Sequence, residues 1–439
     1  MKIRLSALAF VASAVCAPVQ AQDPISFQDT INAQNTISSQ DTLSLQQALS
    51  ASLQHNPHLA GYQFRRAALA GEHTTAALRP ELRLQGELEN VAGSGELSGM
   101  DGAEFTLSFT SIIELGKQRD ARLGVVTARQ QQLATQQRVA VLDLVAAVNY
   151  RFIALLAAQE QVRLEEEAQR LAEQLVDSLT KRVKAGSTPQ AKLMRARAAL
   201  ARTRIALEKS RQQARQEALQ LSAYWADPTP DFTRASGDLF ALTNPQTLAE
   251  WQTRLAQNPD VALLGDETRL RAAELRKAEA EGKLALGWNA GVRQLQASND
   301  TALVLGLSVP LASGKRASGS IQAARAEQDA AQFAEDSIRS QLETRLNQTF
   351  AAHQQAWSEA QSLRDQILPL MQEASRATAN AFEQGRYSSL ELAMAQRELL
   401  DARAELISAA LRAHQTRIEL ERLTASAPVP STQSGETAQ

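Results

Sequence analysis

The chain has 439 residues, a formal net charge of −2 and only 4% aromatic residues. Near-neutral charge, with no basic cluster set apart from balancing acids, gives no drive toward nucleic acid. The dominance of Ala, Leu, Gln, Arg and Glu, with few Pro, argues against compact α/β domains and for long helices and coiled coils.

At the start, Lys2 and Arg4 precede an apolar run from Leu5 to Ala17, and Val19-Gln20-Ala21 offers small residues for cleavage. This pattern predicts a secretory signal peptide over residues 1–21, and the run is too short for a spanning helix. Cys16 is the only cysteine. A lipid anchor there needs a small residue before the cysteine, and Val15 is poor in that place. Cleavage after Ala21 leaves no thiol, hence no disulfide and no thiolate metal site. Residues 22–42 read as a degenerate six-residue repeat (Ile25-Ser-Phe-Gln-Asp-Thr30 and two successors) and predict a disordered polar linker. Residues 425–439, rich in Ser, Thr, Pro and Gly, predict a disordered tail.

Beyond the linker the sequence reads as having no apolar stretch of about 18 residues, so no membrane helix is expected. Membrane strands signal differently, by alternation over about ten residues. Four segments alternate, predicting strands at about 80–92, 103–113, 284–296 and 301–311. Leu82, Leu84 and Leu88 alternate with charged and amide residues, and Phe105, Leu107 and Phe109 with Thr and Ser. Leu284, Leu286, Trp288, Ala290 and Val292, then Leu303, Leu305, Leu307 and Val309, do the same. One face of each strand is apolar and the other polar or small, which suits a barrel between lipid and water, or equally a half-buried strand in a soluble domain. The strands pair through a Gly-rich loop from Ala92 to Gly102 and a turn at Ser298-Asn299-Asp300. Four strands cannot close a barrel, since small barrels need about eight. Spanning strands would therefore require several copies of the chain.

Each hairpin feeds a long helical hairpin. Helices are predicted over about 116–185 and 189–226, then 314–384 and 388–424. About 70 residues at 1.5 Å per residue span roughly 105 Å. Val141, Val145, Val148, Phe152, Leu155 and Val162 follow coiled-coil spacing. Leu193, Leu200, Leu207, Ala214 and Leu221 form a seven-residue stripe, a helix-packing pattern. The helices break at Ala185-Gly186-Ser187-Thr188-Pro189 and at Gln384-Gly385-Arg386-Tyr387. Gly385 follows Gly186 by 199 residues, and Gly314-Lys315 follows Gly116-Lys117 by 198. The unit is thus duplicated, with copies at 43–230 and 231–424. Pro369 interrupts only the second copy and predicts a kink or bulge there.

Several local runs carry a family resemblance. They are Ala48-Leu49 through His55-Asn56-Pro57, Ile113-Glu114-Leu115-Gly116-Lys117, Leu307-Ser308-Val309-Pro310-Leu311 and Ala381-Phe382-Glu383-Gln384-Gly385. With them, nearly all of residues 43–424 resembles the TolC-like outer membrane factors, exit ducts of tripartite efflux pumps and type I secretion systems. Of these, Ile113-Glu114-Leu115-Gly116-Lys117, together with Tyr224-Trp225 and Pro228-Thr229-Pro230-Asp231-Phe232, is most similar to the cobalt–zinc–cadmium resistance branch, the CzcC type.

The resemblance implies a mainly α fold with a small β part: two tandem repeats of β-hairpin plus long α-helical hairpin. It implies a homotrimer with a 12-stranded outer-membrane barrel facing lipid and a periplasmic helical tunnel. Implied partners are a periplasmic adaptor and an inner-membrane pump of the resistance-nodulation-division type, in a Gram-negative envelope. The implied role is a passive exit duct without cofactors, for divalent heavy-metal cations (Co²⁺, Zn²⁺, Cd²⁺), with drug export or protein secretion as alternatives. The tips, with Gly186, Ser187, Thr188, Gly385, Arg386, Tyr387 and Glu391, would form the entrance and adaptor contact. Glu391 matches the first of two acidic residues that line the entrance in many relatives, and Met394 falls on the second, so the acidic ring is halved. Tyr387 sits where some relatives carry a gating Arg, with Arg386 one residue earlier. Arg386, Tyr387 and Glu391 also read as ordinary tip residues.

Enzymatic chemistry is not signalled. His55 and His58 are separated by the helix-breaking Asn56-Pro57 and lack a third ligand. His73, His353 and His414 are scattered. Gly93, Gly95 and Gly99 make no dinucleotide fingerprint, and Gly314-Lys315 no phosphate loop. The rival from another class is a soluble periplasmic coiled-coil scaffold.

Overall fold

The computed structural model describes residues 42–92, 94–95, 99–311 and 313–426, all within one compact unit. The expected signal peptide, Cys16, the linker up to residue 41 and the tail from residue 427 lie outside the described residues. Strand β1 (Thr42–Ser44) leads into α1 (Leu45–His55) and α2 (Pro57–Ala77). The first repeat continues with β2 (Arg83–Glu89), β3 (Glu104–Glu114), α3 (Gln118–Lys184) and α4 (Gln190–Ser222). A short strand β4 (Arg234–Ser236) precedes α5 (Leu248–Leu255) and α6 (Pro259–Glu281). The second repeat then runs through β5 (Ala285–Leu295), β6 (Asp300–Ser308), α7 (Ser313–Ser362), α8 (Leu368–Glu383) and α9 (Ser389–Leu423). Thr42 is therefore already a strand residue, pairing in parallel with Arg234, a contact that nothing in the local sequence announces.

The two β-hairpins join in one antiparallel sheet, ordered β2-β3-β5-β6. Strands β2 and β6 are left as edges. Helix α3 has 67 residues, which is roughly 100 Å of helix. It contains a stretch long and apolar enough, with mean hydropathy 1.9, to cross a membrane by composition alone. This corrects the expectation that no such stretch exists, which overlooked how little the interspersed Asp143 and Arg151 dilute the surrounding Val, Leu and Ile. Within the chain, one side of this stretch is core. Val145, Val148 and Phe152 of α3 are buried with Leu155, against Leu221 at the end of α4, Leu239 of the inter-repeat segment and Ala410 of α9. Truncating Leu155, fully buried there, would cost about 2–5 kcal/mol.

The α4 stripe also packs, with Leu193, Leu207 and Leu221 buried. Near Pro369 the long helix is not simply kinked. A π-helical turn, Leu363–Ile367, separates α7 from α8. Proline lacks an N–H and its ring crowds the carbonyl four residues back, and the wider turn accommodates both.

One device recurs in both repeats. Asn56 caps α2, its Oδ1 accepting from the His58 N–H (3.0 Å), while its Nδ2 donates to the Tyr224 carbonyl beyond α4 (2.8 Å). Asn258 caps α6 through the Asp260 N–H (2.8 Å) and donates to the Leu423 carbonyl at the end of α9 (2.5 Å). In each copy an Asn-Pro pair ties the entering helices to the end of the returning helix. Beside Asn258, Arg422 of α9 pairs with Asp260 and Asp143, and these carboxylates outweigh the cost of burial and raise its pKa.

Candidate functional site

Two regions carry functional geometry: the faces of the sheet and the tips of the helical hairpins. Paired residues of neighbouring strands share a face. The register aligns Leu84 with Phe109, Phe109 with Ala290, and Ala290 with Leu305. The next row aligns Leu107 with Val292 and Val292 with Leu303. This face is apolar, and it is open: Leu303 is 81% exposed and Leu305 79%.

The opposite face is polar and crowded. Arg293 donates from Nε to Thr106 Oγ1 (2.9 Å) and pairs with Glu104 (2.7 Å) and Glu89 (3.0 Å), tying β5 to β3 and β2. Thr106 and Ser108 are only 5% and 7% exposed. A Cβ at Gly291 would come within 2.5 Å of the Leu107 carbonyl oxygen, so a side chain is excluded there. A sheet in a water-soluble domain hides its apolar face; this one shows it and shelters the polar one.

At the far ends of the long helices lie the two tips, built alike. Gly186 and Gly385 have φ of +71° and +74°, which glycine adopts without the Cβ penalty. The Ser187 N–H bonds to the Arg182 carbonyl (2.9 Å) and the Gly186 N–H to that of Val183 (3.0 Å). At the second tip, Arg386 bonds to Ala381 (2.9 Å) and Gly385 to Phe382 (3.0 Å) in the same way. Both are Schellman closures, which satisfy the last free carbonyls of a helix. Thr188 is half-buried beside Pro189, the N-cap residue of α4, and Arg386 and Tyr387 are exposed.

Glu391, expected at the entrance, is exposed but engaged. Its carboxylate accepts the Ser388 backbone N–H (2.6 Å), and its own N–H donates to Ser388 Oγ (3.4 Å). This capping box holds its pKa below the usual carboxylate value. The pattern Ser388-x-x-Glu391 signalled it in the sequence. The side chains around it at this end of α9 are apolar and open, Leu390 at 67% and Met394 at 54% exposure.

Arg182 is a residue that sequence reasoning missed. It reaches from the first hairpin to the second tip, where its Nη2 donates to the Phe382 carbonyl (2.8 Å) and its guanidinium lies 4.0 Å from the Phe382 ring centre. Further up, Arg403 of α9 pairs with Glu167 of α3. His55 and His58 stay apart in function: His55 contacts the Ala51 carbonyl and His58 packs edge-on against Tyr62. Among the described residues no group of three or more His, Cys, Asp or Glu is placed to hold a metal ion.

Comparison with known proteins bears on these features. A profile of the family described as outer membrane efflux protein matches residues 48–227 and 252–426. The chain is 27% identical over 314 residues to the cobalt-zinc-cadmium resistance protein CzcC of Cupriavidus metallidurans, covering 71% of this chain and 74% of that one. Its fold matches the outer membrane protein VceC of Vibrio cholerae with a TM-score of 0.70 at 17% identity, over 87% of this chain and 95% of that one. It matches the outer-membrane channel OprN with a TM-score of 0.71 at 17% identity, over 87% and 89%.

Proposed function

The chain belongs to the outer membrane efflux protein family, and from this we propose that it is the outer-membrane exit duct of a tripartite efflux system. Family members are channels that form trimers and work with an adaptor and an inner-membrane pump. In our reading three copies of this chain close a 12-stranded barrel, with the apolar faces toward lipid and the Arg293 face toward a water-filled lumen. One observation carries this: the sheet is inside out, and its edge strands β2 and β6 offer unpaired backbone that a neighbouring copy would complete. The duct performs no chemistry. It is a passive path, and the pump supplies the energy.

The tips are read as the periplasmic entrance and the adaptor contact, with Gly186, Ser187 and Thr188 from the first and Gly385, Arg386, Tyr387 and Glu391 from the second. Arg182 holds the second tip against the first, as a closed entrance requires. For cargo we favour divalent heavy-metal cations, on the strength of the relative whose name records cobalt, zinc and cadmium resistance. The test is deletion of the gene followed by sensitivity assays. Increased sensitivity to Co²⁺, Zn²⁺ or Cd²⁺, restored by the intact gene, is expected; unchanged metal tolerance with increased sensitivity to organic drugs would redirect the reading to drug efflux.

A further inference from the structure

The sequence reading found no basic cluster apart from balancing acids, but the first tip is one. From Ser178 to Leu207 the chain carries Lys and Arg and not a single Asp or Glu. Two of these cations are engaged, Arg182 with Phe382 and Arg204 with Glu173. The other six, Lys181, Lys184, Lys192, Arg195, Arg197 and Arg202, are exposed, and among the described residues none has an ion-pair partner. Stability does not account for them all. Lys181 and Lys184 sit in the last turn of α3, where the helix dipole favours cations. Lys192 sits in the first turn of α4, where the dipole opposes it and no acid compensates. The second tip shares the backbone closure but differs in charge: Glu383 ends α8 with no base in its last turn, Glu391 opens α9, and Arg386 is the one cation between them.

We propose that this flank of the first tip is an electrostatic docking surface for an acidic helical protein partner, and that its charge selects the partner. The proposal rests on the reading of the tips as the adaptor-facing end, and adds the chemistry of what binds there. Three features favour an elongated protein over a membrane. The charges run along α4 from Lys192 to Arg202, about 15 Å up the hairpin, so a partner must lie beside it. Leu193 and Ala196 are buried between them, which turns the basic positions away from the packed side of the hairpin. The tip is also separated from the apolar sheet face by the length of α3. A basic flank repels cationic cargo, so this surface lies off the path that metal ions would take. Charge of one sign without internal partners speeds encounter with an opposite surface and rejects like-charged ones.

The test uses the full chain, purified in detergent, and two synthetic antiparallel helical-hairpin peptides, one with glutamates around its loop and one with lysines. The glutamate hairpin is expected to bind and the lysine hairpin not. Binding should weaken about tenfold or more between low and high salt as charges are screened. Combining Lys184→Gln, Lys192→Gln, Arg195→Gln and Arg197→Gln should abolish it, while Lys209→Gln, further up α4, should not. Equal binding of both hairpins, indifference to the fourfold variant, or tighter binding of phosphatidylglycerol vesicles than of the glutamate hairpin would overturn the proposal. A photo-crosslinker at Thr188 in living cells separates this from the reading beneath it. A periplasmic partner captured with a yield that the fourfold change leaves intact refutes the charge selection alone. No capture at Thr188 or at Tyr387 refutes the adaptor-facing assignment and the proposal with it.

Discussion

Arg182 and Phe382, 200 residues apart in sequence, form a direct link between the two hairpin tips. The guanidinium stacks on the ring at 4.0 Å and donates to the backbone carbonyl of the same residue at 2.8 Å. Phe382 is itself buried, so the contact joins a charged side chain to the packed end of α8. A cation over an aromatic face contributes about 0.5–2 kcal/mol, and the hydrogen bond to the charged donor adds to it.

If this link holds the entrance closed, Arg182→Ala should raise the single-channel conductance of the protein in planar bilayers. Arg182→Lys, which keeps the charge but loses the planar stack, should give an intermediate value. A double-mutant cycle with Phe382→Leu should show a coupling of about 0.5–2 kcal/mol in the opening equilibrium. Conductance unchanged by Arg182→Ala would make the contact a packing detail.

Glu391 can be separated into charge and cap. Glutamine also completes a capping box, so Glu391→Gln removes the charge and keeps the cap, whereas Glu391→Ala removes both. Because the carboxylate is engaged at the start of α9, the alanine variant should alter conductance and cation block and the glutamine variant should not. Equal effects would return the role to the charge. The pH dependence follows from the lowered pKa. The ionised form is the one that caps, so its contribution is complete above the ordinary carboxylate pKa of about 4.5 and is lost as pH falls through the lower folded value. Protection of the Ser388–Leu392 amides, measured as exchange relative to the intrinsic rate at each pH, should fall in acid in the wild type and show less pH response in Glu391→Ala.

The tip glycines make a backbone prediction. A Cβ at Gly186 or Gly385 meets nothing within 4 Å, so alanine there costs only the left-handed conformation, about 1–2 kcal/mol. Gly61, in the second turn of α2, has equally open surroundings and ordinary helical φ, so Gly61→Ala should be neutral or stabilising by up to about 1 kcal/mol. Local hydrogen exchange at the three sites distinguishes the cases.

Asn258 is fully buried and satisfies both a helix start and a helix end. Asn258→Ala should destabilise by about 2–4 kcal/mol, combining a lost cap with an unpaired carbonyl. Asn56→Ala, at a half-buried copy of the same device, should cost less. Thermal unfolding of the two variants tests the order.

The large elements were legible in the sequence because each rests on a local pattern. Alternation at Phe105, Leu107 and Phe109 marked a strand, and the Val145–Leu155 stripe with the glycine at residue 186 marked a helix and its end. The duplication was legible from Gly186 and Gly385, yet its second signature, Asn56-Pro57 with Asn258-Pro259, passed unread. What the pattern could not carry was the meeting of distant residues. The pairing of β3 with β5, the parallel contact of Thr42 with Arg234, and the reach of Arg182 to Phe382 have no local sign. Glu391 shows the opposite failing: the capping signal was present in Ser388-x-x-Glu391, and resemblance drew attention to the entrance instead.

The central claim is that the apolar face of the sheet meets lipid while the Arg293 face meets water. Single cysteines at Leu305 and at Glu87, on opposite faces, test it in isolated outer membranes with a charged, membrane-impermeant maleimide. The account expects Glu87→Cys to label and Leu305→Cys to resist until detergent is added, with both proteins remaining in the membrane fraction. Equal labelling of the two positions, or recovery of the protein in the soluble periplasm without detergent, would contradict it.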